Sequence, residues 1–146
     1  MSEVIAVGAD HAGFELKSEL CDWLRARNLV VLDFGTHGPD SVDYPDFGVA
    51  VGDAILGGRA ARGLVVCGTG VGISIAVNRR RGPRAALCQD ATTARLARAH
   101  NDANVLALGA RIVGPEVAKD CLAAFLETPY EGGRHDRRIA KLDTVG

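Results

Sequence analysis

A buried strand that runs into a glycine-rich turn gives the clearest indication of the fold. Residues 64–74 read LVVCGTGVGIS. The first four are apolar without alternating, which is typical of a strand covered on both faces, as in a parallel sheet. The glycines then allow a tight turn whose N–H groups can point at an anion, at the start of a helix. The segment therefore predicts a strand–turn–helix unit with a polar turn at the carboxyl end of the strand.

Predicted strands and helices alternate along the chain. We predict strands at Val4–Val7, Leu29–Leu32, Leu64–Cys67, Ala85–Cys88 and Val105–Leu108. We predict helices at Phe14–Arg27, Asp46–Leu56, Gly72–Arg80, Ala91–Ala99 and Pro115–Leu126. This alternation indicates an α/β doubly wound fold, for which we assume strand order 2-1-3-4-5. The length predicts one domain over residues 1–146, and residues 130–146 form a C-terminal arm.

Composition narrows the class of protein. Lys and Arg total 17 and Asp and Glu total 18, so the net charge is −1 and the sequence pI is near 6.4. This balance argues against a nucleic-acid or membrane-surface binder. No apolar run approaches the ~18–20 residues that span a bilayer, and the N-terminus lacks the basic start of a secretory signal. The four cysteines are scattered without a C-x-x-C pair, which predicts reduced thiols and a cytoplasmic protein.

Two polar segments fall where such a sheet binds ligands. With the assumed order, strand order reverses between strands 1 and 3, and ligands bind beyond the carboxyl ends of strands at that point. Strand 1 is followed by Asp10 and His11, and strand 3 ends at Cys67. The helix N-terminus after Cys67 is a setting that stabilises a thiolate. Each feature also has a plain structural interpretation: Asp10 as a helix cap, His11 as a surface residue, Cys67 as a small core residue and the glycines as a packing turn.

His100 and the C-terminal arm are candidates for a contribution to the site of a second subunit. His100 lies near the end of the helix before strand 5. Because this helix runs antiparallel to the strands, its end should lie at their amino ends, opposite the carboxyl edge where the crevice is predicted. If His100 is catalytic, it should therefore serve the site of a neighbouring subunit. Arg134 and Arg138 share one helical face, a suitable clamp for a phosphate dianion. The alternatives are a histidine favoured by a helix C-terminus and a solvated basic patch.

Motifs for other chemistries are missing from the sequence. We find no H-x-x-x-H or H-E-x-x-H pattern and no paired acidic spacing, so we expect no metal. A Walker A loop, a complete G-x-G-x-x-G loop and a G-x-S-x-G nucleophile turn are also absent, so we expect no nucleotide cofactor and no hydrolase site.

Five ordered motifs carry a resemblance that covers essentially the whole chain. They are Gly8–Phe14 (GADHAGF), Asp43–Pro45 (DYP), Cys67–Ser74 (CGTGVGIS), His100–Leu106 (HNDANVL) and Tyr130–His135 (YEGGRH). The chain resembles ribose-5-phosphate isomerases of the B type, in the family that also holds allose- and galactose-6-phosphate isomerases.

The resemblance implies an activity and an architecture. It implies an aldose–ketose isomerase that interconverts D-ribose 5-phosphate and D-ribulose 5-phosphate through a cis-enediolate, in the non-oxidative branch of the pentose phosphate pathway and without a cofactor. It also implies a Rossmann-like three-layer sandwich around a five-stranded parallel sheet. The active unit would be a homodimer with shared sites, in which the arm 130–146 reaches the partner subunit. Whether dimers pair into tetramers stays open.

The resemblance also assigns roles residue by residue. Cys67 matches the residue that is the base in the family pattern. Members that lack this cysteine use a glutamate further along the loop, at the position that is Ser74 here, so the chain resembles the cysteine type. His100 of the partner subunit would open the sugar ring with help from Asp10, and Thr69 would assist at the sugar. The remaining expected contacts are Tyr44, Gly68, Gly70, Val71, Gly72, Ser74 and Asn101 for the sugar and its oxyanion, and His11, Arg111, Arg134 and Arg138 for the phosphate.

Two alternatives to this function stay open. One is the same chemistry on another phosphosugar, such as allose 6-phosphate, galactose 6-phosphate or a tetrose phosphate, because the sequence does not reveal the length of the pocket. The other is a non-catalytic sugar-phosphate or nucleotide-binding module. The presence of Cys67, Thr69 and His100 together speaks against it, because a binder needs the arginines but no base.

Overall fold

The computed structural model describes residues 2–145, which form five strands and six helices in strict alternation until the last helix. The elements are β1 Val4–Ala9, α1 Phe14–Ala26, β2 Val30–Asp33, α2 Tyr44–Leu56, β3 Arg62–Cys67, α3 Val71–Asn78, β4 Ala85–Leu87, α4 Ala91–Asn101, β5 Val105–Gly109, α5 Pro115–Glu127 and α6 Arg134–Thr144. Among these helices, none combines the length and the apolar character needed to cross a membrane. The predicted elements are thus confirmed, with shifts of a few residues at their ends.

All five strands are parallel and their order is β2-β1-β3-β5-β4. The predicted α/β fold with a five-stranded parallel sheet is confirmed. The assumed order 2-1-3-4-5 is wrong in its last two strands, because β5 and not β4 pairs with β3. The reversal between β1 and β3, on which the predicted crevice depends, is present.

The length and burial of the two strands agree with this order. Every residue of β5 is buried, whereas β4 has three residues that are all half-buried. An inner strand of a parallel sheet is covered on both faces and has both edges paired, so it suits the longer and more apolar segment. The short β4 is left at the edge of the sheet, where a short strand exposes few unpaired backbone groups.

The handedness of the crossovers agrees with this order. Parallel crossovers are right-handed, so connections that run in opposite directions across the sheet lie on opposite faces. The β4–β5 connection runs in the same direction as the β1–β2 connection and against the β2–β3 and β3–β4 connections. Its helix α4 accordingly packs with α1 and α5 on one face, through a core that includes Ala94 and Leu122. Helices α2 and α3 cover the other face, around Val51 and Ile73.

A buried lysine fixes the segment that follows β2. Lys17 is 1% exposed, and its Nζ atom donates to both carboxylate oxygens of Asp33 at 2.9 Å and to the carbonyl oxygen of Thr36 at 2.8 Å. The Thr36 N–H in turn donates to the carbonyl oxygen of Ala9 at 2.7 Å. A buried charge needs such complete pairing. The segment is thereby held beside the carboxyl end of β1.

Candidate active site

The carboxyl ends of β1 and β3 bring the first two polar segments together. In the sheet Ala9 pairs with Val66, so Asp10 and Cys67 follow neighbouring strands at the same edge. The Asp10 N–H donates to the carbonyl oxygen of Val66 at 3.2 Å and continues the ladder past the strand. The prediction that these segments meet at the reversal of strand order is confirmed.

Asp10 and His11 are both held by the backbone. Asp10 is buried, and its Oδ1 atom accepts from the Gly13 N–H at 3.0 Å, just before α1. This contact closes the turn that precedes α1, whose N-cap residue is Gly13, so the interpretation of Asp10 as the helix cap is wrong. The Nδ1 atom of His11 accepts from the Val42 N–H at 3.1 Å. An imidazole that accepts at Nδ1 carries its proton at Nε2, so His11 can donate to an anion there.

Cys67 lies at the base of the glycine turn. It is 4% exposed, and its Sγ atom accepts from the Gly70 N–H at 3.2 Å. Gly70 has φ +80°, and a Cβ atom there would lie 2.5 Å from Cδ1 of Leu87, so glycine is required by both backbone and space. The Gly70 N–H therefore points at the sulfur atom beside the N-terminus of α3.

Three of the amides expected to face an oxyanion are used within the turn. The Gly70 N–H donates to sulfur, the Val71 N–H donates to Oγ1 of Thr69 at 3.2 Å, and the Ser74 N–H donates to the carbonyl oxygen of Gly70 at 3.2 Å. The Ser74 hydroxyl donates to the carbonyl oxygen of Val71 at 2.7 Å and is nearly buried. A ligand oxygen would therefore share these N–H groups or displace their present acceptors.

Tyr44 and Arg111 flank the turn on two sides. A Cβ atom on Gly72 would lie 2.5 Å from Cε1 of Tyr44, and one on Gly68 would lie 3.5 Å from Nη1 of Arg111. Gly72 thus leaves room for the phenol ring, whereas a Cβ atom on Gly68 would only touch the guanidinium group at ordinary contact distance. The Arg111 N–H donates to the carbonyl oxygen of Gly68 at 2.9 Å and fixes the start of its own loop. Both side chains are exposed and can contact a ligand above the loop.

His100 and Asn101 lie at the opposite edge of the sheet. They are the last two residues of α4, and the nearby Asn104 carbonyl accepts from the Gly63 N–H at 2.8 Å, near the start of β3. The amino-edge position expected for His100 is confirmed. Within one chain, His100 therefore does not join Cys67 in a single site.

The C-terminal arm packs against this amino edge. The Glu131 N–H donates to the carbonyl oxygen of Ala99 at 3.0 Å, and α6 follows from Arg134. Arg134 and Arg138 are one turn apart on α6 and are exposed, so the predicted shared face is present. These arginines therefore share an edge of the sheet with His100.

Two residues that lie beside His100, namely Glu131 and His135, were missed in the sequence. The ring of His135 stacks on that of His100, with centroids 4.7 Å apart and planes 16° from parallel. Glu131 places Oε1 3.9 Å from Nε2 of His100 and 3.6 Å from Nε2 of His135. We call these three residues the histidine–glutamate cluster. Its only local signal is the four-residue spacing of Glu131 and His135. Lys17 was also missed, although a lysine on the apolar face of α1 was a usable signal.

The other three cysteines are buried core residues. Burial is the main cause that raises the pKa of Cys21 to about 11, of Cys88 to about 12 and of Cys121 to about 11. They remain protonated at neutral pH. All four cysteines are free.

Comparison with known proteins identifies the family. A family model described as "Ribose/Galactose Isomerase" matches residues 5–142. The chain is 46% identical to ribose-5-phosphate isomerase B of Escherichia coli, over 97% of this chain and 95% of the relative. It is 41% identical to the D-erythrulose-4-phosphate isomerase of Pectobacterium atrosepticum, over 94% of this chain and 91% of that protein. The solved structure of Clostridium thermocellum ribose-5-phosphate isomerase B superposes with a TM-score of 0.95 at 51% identity, covering 96% of this chain and 95% of the other. The chain therefore belongs to the ribose/galactose isomerase family and is an isomerase.

Proposed function

We propose that this protein interconverts D-ribose 5-phosphate and D-ribulose 5-phosphate through a cis-enediolate, with Cys67 as the base. The observation that carries this proposal is the 3.2 Å hydrogen bond from the Gly70 N–H to Sγ of Cys67, at the point where strand order reverses. A base held there, beside N–H donors and a helix N-terminus, is what proton transfer next to a carbonyl requires. The names of the relatives support a sugar phosphate as the substrate.

The proposed proton transfers are balanced without a redox group. The Cys67 thiolate removes the proton from C2 of the open-chain aldose, and the electron pair forms the C1–C2 double bond of the enediolate. The thiol then returns its proton to C1, while a proton moves from O2 to O1. N–H groups of the 68–74 turn stabilise the enediolate oxygen, and the Thr69 hydroxyl assists the proton movement between oxygens.

The two edges of the sheet divide the proposed site between two chains. Each carboxyl edge supplies Asp10, Tyr44 and Cys67, and the partner's His100 and the partner's Asn101 complete the site. The partner's His100 opens the furanose ring with Asp10, while Tyr44 and Asn101 contact sugar hydroxyls. A homodimer with shared sites follows from this division. The half-exposed Val71 and Ile75 on α3, beside the turn, support a contact face there.

The phosphate group is proposed to lie among positive donors from both chains. His11 offers Nε2–H and Arg111 lies over Gly68 at the carboxyl edge. Arg134 and Arg138 lie on the arm, at the same edge as His100, and would come from the partner subunit. Guanidinium groups suit a phosphate dianion because they offer paired N–H donors. The four free cysteines support a cytoplasmic location for this enzyme.

The experiment is proton NMR of the purified protein with ribose 5-phosphate in D₂O containing EDTA. We expect ribulose 5-phosphate to appear with solvent deuterium at C1, because the transferred proton exchanges on the thiol. A Cys67→Ser variant should lose this activity, and a Cys121→Ser variant should keep it. Near-full turnover in Cys67→Ser would contradict the role of Cys67.

A second substrate is supported by one relative. The similarity to a D-erythrulose-4-phosphate isomerase makes tetrose phosphates the first alternative to test, followed by hexose 6-phosphates. The same NMR assay with these substrates ranks them by kcat/KM. A higher kcat/KM for a tetrose or hexose phosphate than for ribose 5-phosphate would replace the proposed substrate and leave the chemistry unchanged.

A further inference from the structure

The histidine–glutamate cluster at the amino edge has the composition of a metal site. The candidate ligand atoms of His100, Glu131 and His135 all lie within 4.8 Å of one another. Two imidazoles and one carboxylate are a common ligand set for Zn²⁺, which keeps its fourth position for water or a substrate group. The three residues come from the end of α4, the arm and the start of α6, so tertiary packing and not local sequence brings them together.

A buried nitrogen in this cluster lacks a partner. His135 is 5% exposed, and its Nε2 atom makes no hydrogen bond to any residue between 2 and 145. The nearest carboxylate oxygen, on Glu131, is 3.6 Å away, which is too long for a hydrogen bond. A buried imidazole nitrogen without a partner costs free energy, and an ion between His135 and Glu131 would remove that cost.

The distances are close to those of a bound ion. With metal–ligand bonds of about 2.0–2.2 Å and tetrahedral angles, two ligand atoms stand about 3.4 Å apart. The Glu131 oxygen is 3.6 Å from His135 and 3.9 Å from His100. The Glu131 oxygen would need to move by about 0.5 Å, whereas ligand atoms up to 4.8 Å apart would need to approach by up to about 1.4 Å. A turn of the half-exposed His100 ring out of its stack with His135 would supply this larger movement.

We propose that His100, Glu131 and His135 bind a divalent transition-metal ion, for which Zn²⁺ is the probe, and that this ion inhibits the enzyme. Binding would occupy Nε2 of His100 and withdraw it from proton transfer. The inhibitory part rests on the proposed function, in which His100 opens the sugar ring. The binding part does not depend on that function.

Isothermal titration calorimetry with ZnCl₂ on the full-length protein tests the binding part. We expect one ion per chain, with the affinity lowered at least about tenfold in Glu131→Gln, which removes the carboxylate without changing its size. Glu127→Gln is the matched control, because it makes the same charge change at an exposed position at the end of α5. Its affinity should equal that of the unaltered protein. Absent binding, or equal affinity in Glu131→Gln, would overturn the proposal.

Two further measurements assign the ligands and the consequence. Bound Co²⁺ should lack the strong near-ultraviolet absorption that thiolate ligands cause. If this absorption is observed, the ion is bound by a cysteine and the proposed site is wrong. Zn²⁺ should slow the conversion of ribose 5-phosphate, with recovery on adding EDTA. It should spare deuterium exchange into ribulose 5-phosphate, which has no ring to open. If Zn²⁺ binds at the cluster and the conversion of ribose 5-phosphate is unchanged, the inhibitory part is overturned. If the protein does not convert ribose 5-phosphate even without Zn²⁺, the proposed function is contradicted, and the calorimetry alone decides the binding part.

Discussion

Division of the site between two chains can be tested by mixing two inactive variants. Cys67→Ser damages the carboxyl-edge half of a site and His100→Gln damages the amino-edge half, so each homodimer should lose turnover by at least about 10²-fold. The two residues lie at opposite edges of the sheet in one chain, as the positions of the β3 and α4 ends require. A heterodimer therefore combines one site that carries both substitutions with one site that carries neither.

The recovered activity has a defined size. Random reassortment of equal amounts gives half heterodimers, each with one intact site of two, so turnover should return to about one quarter of the unaltered enzyme. The variants are mixed, unfolded in urea, refolded together and assayed with ribose 5-phosphate. A mixture of His37→Gln, an exposed histidine, with the unaltered chain controls for refolding losses and should stay fully active. If the mixture of the two inactive variants stays inactive while this control recovers, both residues act within one chain and the reasoning is refuted.

Three other predictions concern the thiols, the turn and the arm. Burial raises the pKa of Cys21, Cys88 and Cys121 to about 11, 12 and 11. Iodoacetamide at pH 8 should therefore alkylate the native protein at Cys67. Peptide mass spectrometry that finds the other three cysteines modified first would contradict this prediction. Gly70→Ala should lower the free energy of unfolding in urea by about 1–3 kcal/mol, because of its φ of +80° and the contact with Leu87. Gly38→Ala, where an added Cβ meets nothing within 4 Å, should change it by less than about 0.5 kcal/mol, and equal effects would argue against strain at Gly70. Arg138→Ala should raise KM for ribose 5-phosphate about 10-fold or more with little change in kcat, through loss of a charged hydrogen bond to phosphate. Arg137→Ala should keep the original KM, and a fall in kcat alone for Arg138→Ala would argue against phosphate binding.

Local patterns in the sequence were sufficient to predict the elements and the meeting of Asp10 and Cys67 at the carboxyl edge of the candidate site. Unbroken apolar runs predicted the buried parallel strands, because a strand covered on both faces needs no polar alternation. The direction of each element then follows from connectivity. This is why Asp10 and Cys67 could be expected at one edge and His100 at the other before any contact was known.

These patterns could not predict the order of the last two strands in the sheet. The runs Ala85–Cys88 and Val105–Leu108 look alike in sequence, and both are long enough to pair with β3. Which one does so depends on the face that α4 covers and on how many residues each strand can bury once the sheet is assembled. Both quantities exist only in the folded chain.

Contacts between distant residues were also decided by tertiary structure alone. The sequence by itself determined the class of fold, the glycine turn after Cys67 and the arginine spacing on the arm, because these depend on neighbours within a few residues. The pairing of Lys17 with Asp33 and the meeting of His100 with Glu131 and His135 required packing of separate elements. Burial then set their chemistry, since a charge or an imidazole nitrogen removed from water must find its partner within the protein.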